Sequence, residues 1–72
     1  MDEYVDRKLA EISRNLIEAV RLLNAFREAL QRHGKRSVVV DMLLEVINLV
    51  VDHIGEANRA VLEVSEYLRR GQ

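Results

Sequence analysis

VVVDMLLEVINLVVDHI, residues 38–54, carries four polar residues ahead of its histidine: Asp41, Glu45, Asn48 and Asp52. They recur at steps of four, three and four. On a helix that spacing gathers them into one narrow solvent stripe and leaves the rest of the circumference apolar. A helix with so little polar surface must be covered from more than one side. A chain of 72 residues has few other residues with which to cover it. The stretch therefore predicts a helix that associates.

The rest of the chain supplies one partner helix. There is no proline and there are only three glycines, which favours long uninterrupted helices. The strongest punctuation is His33, Gly34, Lys35, Arg36, Ser37. Gly34 fits the left-handed position that ends a helix, and Ser37 fits an N-cap. The reading places helix 1 at residues 2–33, a loop at 34–36 and helix 2 at 37–70, with Gly71 as the stop. A link this short between helices makes an antiparallel hairpin.

Heptads set the seam. In helix 1, Leu9, Leu16, Leu23 and Leu30 recur every seven residues, with Val5, Ile12, Ala19 and Phe26 as the second line. In helix 2, Val40, Ile47, Ile54, Val61 and Leu68 hold one line. Leu43, Val50, Ala57 and Val64 hold the other, flanked by Leu44, Val51, Asn58 and Ser65. Folding back at Gly34 brings Leu30 near Val40, Leu23 near Ile47, Leu16 near Ile54 and Leu9 near Val61. One such seam cannot also hide Ile17, Val20, Val39, Met42, Val46 and Leu49, which become the expected oligomer interface. The expected architecture is all-α: an antiparallel two-helix hairpin that pairs into a four-helix bundle, most simply as a homodimer. Ser13, Asn24 and Asn58 lie at seam edges, where buried polar groups can fix register and oligomeric state. Tyr4 and Tyr67 fall at the same end of the hairpin and suit its closure.

Composition narrows function. Formal net charge is −1 with 32% charged residues, which gives no bulk attraction to nucleic acid or anionic membrane. There is no cysteine, hence no disulfide and no thiolate metal site. His53 and Glu56 stand one turn apart and with a symmetry mate could offer four ligands, but no Glu-x-x-His accompanies them, and a histidine at the edge of a seam is the simpler account. Arg7, Arg14 and Arg21 share a face, yet Glu11 and Glu18 interrupt it and no aromatic residue interleaves for base stacking. Charges at such spacings pair along the helix for about 0.2–0.5 kcal/mol each. No nucleophile–base arrangement, phosphate loop or paired buried carboxylate is present, so no enzyme activity and no cofactor is expected. Three acidic residues inside 38–54 argue against a membrane span. The acidic start, Met1-Asp2-Glu3-Tyr4, does not read as a secretory signal, and a cytoplasmic setting is the expectation if the chain is a natural one.

Two long helices, one short glycine-containing turn and heptad seams resemble the Rop-type plasmid-control proteins in architecture along the whole chain. They also resemble two-helix hairpins designed to self-assemble, in which polar seam residues such as Ser13, Asn24 and Asn58 set specificity. The cysteines of the Rop core are absent here. The first resemblance implies an RNA-binding or partner-helix adaptor; the second implies a structural self-association module, which is the primary expectation.

Overall fold

The computed structural model describes residues 3–71, so Asp2, the expected first residue of helix 1, lies outside it. Helix α1 spans Glu3–His33 and helix α2 spans Val38–Arg70. The two pack antiparallel along their length, and the described residues contain no strand. Acidic Glu3 and Asp6 open α1, and Arg32 and His33 close it, each complementing the helix dipole. Ser37 caps α2 from an extended backbone (φ −155°), its Oγ accepting the Val40 N–H at 3.2 Å.

The glycine at the turn serves a different purpose from the one expected. No glycine among the described residues has positive φ. The Gly34 N–H donates to the Leu30 carbonyl at 2.9 Å, continuing the right-handed spiral. A Cβ at Gly34 would lie 2.5 Å from that carbonyl oxygen. Position 34 therefore needs glycine for room and not for left-handed freedom.

The seam is also rotated from the expected one. The half-buried positions of α1 include Leu9, Leu16, Leu23 and Leu30, joined by Ser13, Val20 and Arg27. Those of α2 are Val40, Ile54, Val61 and Leu68, in line with Ile47 and joined by Leu44, Val51, Asn58 and Ser65. Ile47 alone is fully buried among the described residues, at 4% exposure. Each helix thus keeps the expected leading line but takes its second line four residues on, not three. Ile12 and Phe26 of α1, with Leu43, Val50 and Val64 of α2, stay exposed; only Ala19 and Val5 of the expected α1 line are half-buried.

The result is a rod one helix pair thick, 54 × 14 × 12 Å, with a radius of gyration of 16.4 Å. A compact domain of this length has a radius of about 11 Å. Accessible surface is 5925 Å², against about 4,600 Å² for a folded monomer of this mass. The hairpin leaves about 1,300 Å² more in water than a folded protein of its size does.

Two glycines have opposite expected effects. Gly34→Ala forces the backbone at the Leu30 carbonyl to shift, and overpacking of this kind costs about 1–3 kcal/mol. Gly55 lies within α2, and a Cβ added there would meet nothing within 4 Å, so Gly55→Ala should stabilise by about 0.5–1 kcal/mol. Thermal melts at one fixed protein concentration should shift down for the first and up for the second. Equal shifts of the same sign would contradict this account of the turn.

Candidate interaction surface

The hairpin has two unlike flanks. On one, Ile17, Gly55 and Asn58 share a shallow cleft with Leu16, Val20 and Ile54. A second cleft on this flank brings Ala10 and Ile17 beside Leu62. Arg27 donates to Asn48 Oδ1 here at 2.7 Å, and Asp41 lines a third cleft beside Gln31. This flank is mixed: apolar at Ile17 and Leu62, polar at Gln31, Asp41 and Asn48.

The other flank follows from the seam by helix geometry. The residues one before the second seam line, Ile12, Ala19 and Phe26 on α1 and Leu43, Val50, Ala57 and Val64 on α2, lie on the side away from those clefts. In an antiparallel pair these two lines flank the seam on the same side. Next to them run Asn15, Leu22 and Ala29 on α1, and Val39, Val46, His53 and Ala60 on α2. Phe26 is 48% exposed and Val46 53%. Together they form one apolar face along the rod, free of acidic and basic residues apart from His53 over these positions. On each helix this second seam is turned roughly a quarter-circle from the first. That is the angle at which a helix in a four-helix bundle meets its second neighbour.

The expected interface residues are therefore divided. Val39 and Val46 lie on the apolar face, and Met42 and Leu49 flank it, all exposed. Ile17 is 56% exposed but belongs to the opposite flank. Val20 is half-buried on the intramolecular seam. On α1 the apolar face is built by Leu22 together with Ile12 and Phe26, the two that the heptad pattern assigns to the seam.

The polar residues sort as cleanly. Ser13 Oγ donates to Asn58 Oδ1 at 2.7 Å, joining α1 to α2 inside the seam. Asn24 is half-buried, and its Oδ1 is enclosed without a hydrogen-bond partner. Asn48, on the solvent stripe, accepts from Arg27. Surface charges pair within helices: Lys8 with Glu11, Arg32 with Glu28, and Arg70 with Glu66. Arg21 bonds Glu18, and that hydrogen bond holds the Glu18 carboxyl below its ordinary value. The Arg21 guanidinium of the in-line arginine row is thus engaged by an acid of its own helix. Lys8 Nζ also stands 5.6 Å from the centre of the Tyr4 ring, within cation–π range. Tyr67 is exposed near the end of α2, at the same end of the rod. His53 and Glu56 are both exposed, and no group of three or more His, Asp or Glu among the described residues is placed to hold a metal ion. No helix of the described residues is long and apolar enough to cross a membrane.

Comparison with protein-family models, curated proteins and solved structures yields no match.

The Ser13–Asn58 bond is expected to contribute measurably to hairpin register. Ser13→Ala and Asn58→Ala, singly and together, should give a coupling energy of about 1 kcal/mol in a double-mutant cycle read by chemical denaturation. Strict additivity of the two substitutions would remove it from the account.

Proposed function

We propose that this chain is a structural self-association module, a hairpin that pairs with a second copy of itself to form a four-helix bundle and carries no catalytic chemistry. One observation supports this above the others: the continuous apolar face, set a quarter-turn from the intramolecular seam on both helices. The surface excess fits the same reading. If about 1,300 Å² is removed from each of two copies, the total falls in the range of obligate homodimer interfaces, roughly 2,000–5,000 Å². Ile47 is the one fully buried residue among those described, which fits a core that a second chain completes; small domains without disulfides or metals commonly complete theirs by oligomerising.

Mass action gives the test. A core finished by another copy melts at a temperature that depends on concentration. Light scattering after size-exclusion chromatography should give twice the chain's 8.3 kDa, and the melting temperature should fall over a hundredfold dilution. A monomeric mass with a constant melting temperature would refute the proposal. Val46→Glu with Leu49→Glu should leave monomeric or unfolded chain, because an unpaired charge buried in an interface costs several kcal/mol. Ile17→Glu, on the other flank, should leave the mass unchanged.

A further inference from the structure

The apolar face also specifies how a second copy would sit on it, an inference that rests on the self-association proposed above. Three two-fold arrangements bring two such faces together: α2 parallel to its mate, α2 antiparallel to its mate, or α1 of one copy against α2 of the other. Side-chain size separates them, because facing positions pack without voids when large residues meet small ones.

Along α2 the outward seam is bulky at Leu43, Val46 and Val50, slight at Ala57 and Ala60, and bulky again at Val64. A parallel mate would set Leu43 on Leu43 and Ala57 on Ala57, crowding one end and hollowing the other. An antiparallel mate, in the register that overlaps the whole seam, sets Leu43 against Ala60 and Val46 against Ala57, with Val39 against Val64 at the ends and Val50 against His53 beside the axis. The two-fold axis then passes between residues 51 and 52.

Helix α1 gives the same answer independently. Its outward seam, overlapped in full with an antiparallel mate, sets Ile12 against Ala29 and Ala19 against Leu22. Phe26 meets the slimmer Asn15. The axis there passes between residues 20 and 21. One rigid two-fold requires these two points to lie at the same level of the hairpin. The bonds Ser13–Asn58 and Arg27–Asn48 fix that level. Interpolated between them, the midpoint of residues 20 and 21 lies within about one residue, or 1.5 Å of helix rise, of the midpoint of 51 and 52. The third arrangement keeps the hairpin's own register and brings Leu22 near Val50 and Phe26 near Val46, large against large.

We infer that a second copy docks on this face about a two-fold axis perpendicular to the rod, α1 antiparallel to α1 and α2 antiparallel to α2, with Val46 of each copy seated on Ala57 of the other.

The chain has no cysteine, so introduced thiols report contacts cleanly. Val46→Cys and Ala57→Cys are made as separate chains, refolded alone and as a one-to-one mixture, and oxidised with glutathione. The mixture should give a covalent dimer on a non-reducing gel, and each variant alone should not. Two copies of residue 46 would stand eleven residues apart along the helices, about 16 Å, beyond disulfide reach. Leu43→Cys with Ala60→Cys should repeat the pattern. Cross-linking of Val46→Cys with itself would establish the parallel arrangement and overturn the inference. A dimeric mass with no cross-link in either mixture would overturn it in favour of α1 against α2. A monomeric parent chain would instead dispose of the self-association reading beneath it.

Discussion

Two helices packed along one seam can hide only one stripe of each. Each helix of this hairpin runs over thirty residues, so the molecule gains length but no thickness. Lengthening a hairpin adds buried stripe and exposed back in proportion, and the fraction buried never rises as it does in a globule. Sequence can respond by making the back polar, as α1 does with its rows of paired charges. Helix α2 responds differently. Its polar stripe is narrow over residues 41–52, and the apolar remainder lies a quarter-turn from the seam, where a third helix fits.

Much of this was legible in the residues. The absence of proline, the heptad leucines and the punctuation at residues 33–37 indicate two helices and an antiparallel return. The Ser37 cap follows from that punctuation and is present, and folding Leu16 onto Ile54 and Leu9 onto Val61 leaves Ser13 level with Asn58, which it meets. The choice of second seam line was not legible. Lines three and four residues beyond each leading leucine both lie on the apolar arc, and hydrophobicity favours the nearer, with Ile12 and Phe26. The hairpin instead uses the farther, with Ser13, Arg27, Asn58 and Ser65. The signal was the polar pair itself: a serine and an asparagine that can satisfy each other across helices are tolerated in a seam, and their pairing leaves the more apolar lines outward. Spacing marks Gly34 as the turn but not its purpose, because it shows where a chain must reverse and not which backbone conformation or which close approach the turn uses.

The rotation of the seam bears on function. With Ile12 and Phe26 inside, the outward surface of α1 would be Ile17 and Val20, on the flank of the clefts. With them outside, α1 and α2 present apolar lines to the same side, and the face becomes continuous. Under the proposed arrangement the polar pair Ser13–Asn58 in the intramolecular seam holds register while the outward seam adds a second line of apolar burial. The enclosed Asn24 oxygen fits a division in which polar groups favour specificity at a cost in stability.

In the proposed dimer a second copy covers this face side by side. Small-angle X-ray scattering at a concentration well above dissociation measures it directly, through mass, length and cross-section together. A side-by-side pair should scatter with twice the mass of one chain, a long dimension still close to the 54 Å backbone length of the single hairpin, and a cross-section enlarged in both directions. A particle of single-chain mass, or one of double mass and nearly double length, would contradict it.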